Sequence, residues 1–74
     1  SAAIIDLINI LKKNNIKIVI FEPLIEDDIW EGLKNYSDLE AFKLEADLIL
    51  TNRMDPSLEN VKNKVITRDL FNEN

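Results

Sequence analysis

The chain has no cysteine and no histidine, a single glycine and only two prolines in 74 residues. Without cysteine there is no disulfide, no thiolate metal site and no sulfur nucleophile. Without histidine the commonest general base and the commonest zinc ligand are both missing. One glycine cannot make a glycine-rich phosphate loop. No apolar run approaches the roughly 20 residues that cross a bilayer as a helix. Positive charge is also scarce: 9 basic against 14 acidic residues leave a net charge of −5. That balance argues against a general nucleic-acid or anionic-membrane surface, but not against one phosphate pocket built from two arginines.

What is present is the balance of a soluble globular domain, 46% hydrophobic and 31% charged. A chain of this length makes one domain and buries only about 60% of its unfolded surface. Leu48-Ile49-Leu50, followed abruptly by Thr51-Asn52-Arg53, has the form of a short strand buried on both faces. The pattern occurs three times: 16–22 runs into Glu22-Pro23, 47–52 into Asn52-Arg53, and 65–68 into Thr67-Arg68-Asp69. In open α/β sheets, ligand groups gather just past the carboxyl ends of such strands. Strands pointing the same way would set Glu22, Arg53 and Arg68 along one rim.

Helices are expected between them. Ile4, Leu7, Ile8 and Leu11 form a helical stripe within 1–14, with Lys12 and Lys13 complementing the dipole and Asn14-Asn15 suited to a left-handed cap. Ser37 and Glu40 form a capping box for a helix over 37–46 that turns Leu39, Phe42 and Ala46 inward. Asp55-Pro56 starts a third helix over 56–63, burying Leu58 and Val61. The segment 24–36 reads as a loop with one helical turn anchored by Ile25, Ile29 or Trp30, interrupted at Gly32. Its acids Glu26, Asp27, Asp28 and Glu31 lack the alternating ligands and central glycine of a calcium loop, so they read as a solvated charge run and no metal is expected. The order α-β-α-β-α-β with short connections predicts an α/β, three-layer domain with three parallel strands. The inward set is Ile4, Leu7, Leu11, Ile18, Ile20, Phe42, Leu48, Leu50 and Val61.

Three stretches carry a family resemblance: Ile18-Val19-Ile20-Phe21-Glu22-Pro23, Ala46 through Met54 with its Asn-Arg-Met, and Val65-Ile66-Thr67-Arg68-Asp69-Leu70-Phe71. They resemble the end of the short bacterial UDP-glucose 6-dehydrogenases, and Ser1-Ala2-Ala3-Ile4 resembles the first helix of that family's C-terminal domain. The resemblance runs along nearly the whole chain and is loosest over 24–36. It implies a Rossmann-like, UDP-sugar-binding domain of an enzyme that oxidises UDP-glucose to UDP-glucuronate in two NAD⁺-dependent steps. In that family NAD is held by an N-terminal domain, and the reaction passes through a thiohemiacetal on cysteine. Neither the cofactor loop nor the cysteine is in this chain, so on this reading it is a non-catalytic segment whose partner is the remainder of a cytoplasmic enzyme. The opening at Ser1, directly into a helix, is read the same way.

The resemblance sets Arg68 of Thr-Arg-Asp near the bound nucleotide. An arginine fork suits phosphate or ribose oxygens, against the plainer reading of a salt bridge to Asp69. Arg53 is expected beside it, against a structural ion pair. Glu22 is a weaker candidate for a ribose hydroxyl. Asn52 and Thr67 would donate to base or phosphate, or merely satisfy strand ends. Two other classes stay open: a stand-alone nucleotide-binding module such as a receiver-like domain, and an interaction module with no ligand. In the family's arrangement a further strand lies between 16–22 and 47–52. Its absence predicts either that these two strands close up and pair, or that a second copy fills the gap and makes a homo-oligomer.

Overall fold

The computed structural model describes residues 2–26, 29–35, 40 and 43–70. Helix α1 spans Ala2–Lys13 and ends as the sequence predicts. Asn15 takes a φ of 60°. Its N–H donates to the Lys12 carbonyl while the Ile16 N–H donates to that of Leu11, a Schellman cap with asparagine in the place of glycine.

The sheet contains β1 (Ile18–Ile20), β4 (Leu48–Thr51) and β5 (Val65–Thr67), in the order β1-β4-β5. All pairings are parallel: Ile18 opposite Leu48, Ile20 opposite Leu50, Leu50 opposite Ile66 and Thr51 opposite Thr67. The regular strands are shorter than 16–22, 47–52 and 65–68, although the Phe21 N–H still bonds the Leu50 carbonyl. β1 and β4 are direct neighbours. The first of the two expected arrangements is therefore the one adopted.

Strand alternation divides the apolar side chains between two cores. Ile18, Ile20 and Leu50 pack with Ile4 and Ile8 of α1, Leu33 and Leu70, while Ile66 borders them. On the other face Val19, Phe21 and Ile49 pack with Ala46, Leu58 and Val61, bordered by Val65. The result is a three-layer α/β domain with a parallel sheet between helices, of Rossmann-like type. Of the expected inward set, Ile4, Ile18, Ile20, Leu50 and Val61 are buried, whereas Leu7, Leu11 and Leu48 are half-buried. Phe42 lies outside the described residues. So do Ser37 and Leu39, and with them half of the expected 37–46 helix.

Three expectations need correction. Lys43–Glu45 form a turn, so no helix runs on to Ala46. Lys64 explains how that turn is held: its ammonium donates to the carbonyls of Lys43 and Ala46. The segment 56–63 is not α-helical but a 3₁₀ helix, Pro56–Lys64, kinked at Val61. Its start is as expected, with the Asp55 carboxylate accepting from the Ser57 N–H and proline at the head. The segment 24–36 contains a hairpin, β2 (Ile29–Trp30) with antiparallel β3 (Leu33–Lys34). Glu31 and Gly32 both have positive φ, 50° and 77°, as a two-residue type I′ turn requires. Of the expected anchors Ile29 is 65% exposed, Ile25 is half-buried and the Trp30 side chain lies outside the described residues, whereas Leu33 is only 3% exposed. Among the described residues no helix is long and apolar enough to cross a membrane.

Candidate functional site

Parallel strands end with their carboxyl termini on one side, and here each ends in polar residues. Moving across the sheet, the ends are Phe21-Glu22 after β1, Asn52-Arg53 after β4 and Arg68-Asp69 after β5. Arg53 and Arg68 therefore leave adjacent strands. Both are exposed. Among the described residues neither guanidinium has a hydrogen bond or an ion pair. Salt bridges between described residues use lysines, as in Lys17 with Glu45, Lys43 with Glu40 and Lys62 with Glu59.

Backbone and side-chain bonds tie the two exits together. The Arg68 N–H donates to the Thr51 carbonyl at 3.1 Å, carrying the ladder one residue past β5. The Leu70 N–H donates to Asn52 Oδ1 at 2.9 Å. The Thr51 hydroxyl donates to the Arg53 carbonyl at 2.9 Å and tightens the turn out of β4. Asn52 is half-buried, and its Nδ2 has no partner among the described residues. Thr67, opposite Thr51, is exposed.

Glu22 sits differently. Its side chain is only 5% exposed, and Oε1 accepts from the Leu24 N–H at 3.3 Å. Asn35 closes this end of the rim. Its Oδ1 accepts from the Glu22 N–H at 3.0 Å, and its Nδ2 donates to the carbonyls of Glu22 and Ile25. Sequence reading missed Asn35, because nothing local marks an asparagine whose partners lie 10 and 13 residues upstream. The sheet thus brings Arg53, Asn52, Arg68 and Thr67 together at two neighbouring exits, with Glu22 folded inward at the end of β1.

Beyond Arg53, an open depression of about 400 Å³ is lined by Met54, Asp55, Pro56 and Glu59. Two carboxylates make it a poor place for an anion. Asp55 is already engaged: hydrogen bonds from the Ser57 hydroxyl and then the Ser57 N–H hold its carboxyl below the usual carboxylate range.

The turn after β1 is not built as a dinucleotide cradle. Such a cradle is rich in glycine, yet this turn is Glu22-Pro23-Leu24, closed by a buried carboxylate and Asn35. The lone Gly32 is spent on the β2–β3 turn.

No model of a known protein family matches the chain. Curated relatives do, among them two UDP-glucose 6-dehydrogenases. It is 36% identical to the UDP-glucose 6-dehydrogenase of Campylobacter jejuni over 73 residues, 96% of this chain and 19% of that protein. It is 42% identical to the UDP-glucose 6-dehydrogenase of Streptococcus pneumoniae over 55 residues, 74% of this chain and 14% of that protein. The chain thus spans less than a fifth of the length of these relatives. By a match along almost its whole length, the chain is a relative of the UDP-glucose 6-dehydrogenases, corresponding to one segment of them.

Proposed function

We propose that this chain is the C-terminal, UDP-binding part of an NAD-dependent UDP-glucose 6-dehydrogenase, a cytoplasmic enzyme that oxidises UDP-glucose to UDP-glucuronate. The observation that carries the proposal is the pair of exposed guanidiniums, Arg53 and Arg68, at the exits of adjacent parallel strands. Neither is neutralised by a carboxylate among the described residues. In a chain with net charge −5, two arginines kept free of acids side by side suit a dianionic ligand. Asn52 Nδ2 and the Thr67 hydroxyl add neutral donors beside them. Glu22, one strand further along, is folded inward and takes no part in this reading.

In this reading Arg68 and Arg53 take the diphosphate, and Asn52 and Thr67 take phosphate or base edges. The chain itself performs no redox step. NAD and the catalytic cysteine belong to the remainder of the enzyme, a reading supported by the lack of a glycine-rich cradle after β1. Direct β1–β4 pairing leaves no slot between these strands for a second copy to fill.

Titration of the ¹⁵N-labelled chain with UDP, with UMP and uridine as controls, tests the proposal. UDP should shift the amides of 51–53 and 67–70, with affinity falling in the order UDP, UMP, uridine. Equal responses to uridine and UDP, or shifts confined to α1, would refute the diphosphate site. No response to any of the three would favour an interaction module without a nucleotide ligand.

A further inference from the structure

We infer that Asn52 acts mainly as a positioning residue: it locks the exit of β5 onto the exit of β4, so that Arg68 is presented on the same rim as Arg53. This inference rests on the UDP reading above and adds to it the residue that holds the two cations as one site.

Arg68 lies between two cross-links. On one side its own N–H donates to the Thr51 carbonyl, and on the other the Leu70 N–H donates to Asn52 Oδ1. The first is a ladder bond that any residue at 68 would make. The second depends on one side chain 18 residues away. It lies next to the buried Leu70, which plugs the α1-side core with Ile20 and Leu50. The chain leaving β5 is therefore pinned at both ends of Arg68-Asp69. Arg53 follows directly on Asn52, and its carbonyl is fixed by the Thr51 hydroxyl. One dipeptide, Thr51-Asn52, thus sets the backbone beneath both guanidiniums. Long side chains on an unpinned exit would spread their charges over many positions, and pre-ordering them removes that cost on binding. Oδ1 thus serves the fold of the rim, while Nδ2 has no partner among the described residues.

The test uses the 74-residue chain with Asn52→Ala, Arg68→Ala and the double variant, reading UDP affinity and hydrogen exchange at the Leu70 amide. Asn52→Ala should lose Leu70 protection and weaken UDP binding about tenfold. In the Arg68→Ala background the same change should weaken binding by about threefold rather than tenfold, because Asn52 acts mainly through Arg68. Additive losses would overturn the positioning role, since a direct contact or general destabilisation would not depend on Arg68. Unchanged exchange at Leu70 would overturn the clamp. Should Asn52→Ala fail to fold, Asn52→Asp keeps an acceptor and must keep Leu70 protected. A wild-type chain that protects Leu70 but binds no UDP would refute the nucleotide reading and, with it, a positioning role in binding. The clamp alone would remain, and the two failures are distinguishable.

Discussion

Replacing Arg68 by alanine should separate binding from folding. The side chain is exposed and has no hydrogen bond or ion pair among the described residues. Its one structural bond, N–H to the Thr51 carbonyl, belongs to the backbone and survives the substitution. Surface changes of this kind usually move stability by no more than about 0.5 kcal/mol. In a domain of this size that is a shift in Tm of about 2–4 °C at most. Binding should respond far more. A hydrogen bond to a charged group contributes about 1.5–3 kcal/mol, so UDP affinity should fall by roughly ten- to a hundredfold. In a full-length dehydrogenase carrying this segment, KM for UDP-glucose should rise by the same factor, while KM for NAD⁺ stays put. Calorimetric titration and a thermal melt on one preparation read both quantities. An unchanged UDP affinity would remove Arg68 from the site. A large drop in Tm with proportionate loss of binding would show that the guanidinium supports the fold instead.

Leu50→Ala removes a side chain of 0% exposure from the central strand and should cost about 2–5 kcal/mol. Against a total of very roughly 4–11 kcal/mol for a domain this size, the urea midpoint should fall by about a fifth or more; a midpoint within a tenth of wild type would mean that the core collapses around the site. Lys64→Met keeps the stem but loses the ammonium that holds the Lys43 and Ala46 carbonyls, so a loss of about 1–3 kcal/mol is expected by the same melt. Asp55 has a lowered pKa, so its capping contribution is present above the ordinary aspartate range and is lost as the pH falls through the lowered value. Asp55→Asn should flatten that part of the acid-stability profile, and an unchanged profile would show that the Ser57 bonds do not matter.

The parts of this fold that were legible are those in which local pattern and tertiary burial agree. Ile18, Ile20 and Leu50 face one core and Val19 and Ile49 the other, so a continuous apolar run correctly signalled a strand covered on both sides. The Lys-Lys-Asn-Asn end of α1 and the Asp55-Pro56 start also act through neighbours in sequence and were read correctly. The hairpin was not legible because its type I′ turn is Glu31-Gly32, where asparagine or aspartate is the usual first residue. Nor was the 3₁₀ form of Pro56–Lys64, where two inward residues, Leu58 and Val61, are too few to tell one helical period from another. At the candidate site, the arginines were visible from their place after apolar runs. The engaged state of Asn52 and Glu22 was not, because it depends on partners brought in by folding.

Those partners reveal a common device at two of the three strand exits. A strand that ends inside a small sheet leaves amides and carbonyls without ladder partners, and a buried unpaired group costs about 1–3 kcal/mol. Glycine-rich turns would let the backbone fold over and satisfy itself, but the only glycine is used elsewhere. Asparagine, which carries both a donor and an acceptor, fills the role instead. At the end of β1 the Asn35 amide takes the Glu22 N–H and gives to two carbonyls. At the end of β4 Asn52 takes the Leu70 N–H. The rim is therefore built from side-chain bonds between segments distant in sequence, set on a rigid parallel sheet. Such a rim can be altered without moving the strands beneath it. Binding and stability should accordingly come apart at Asn52 and Arg68, as they would not at Leu50.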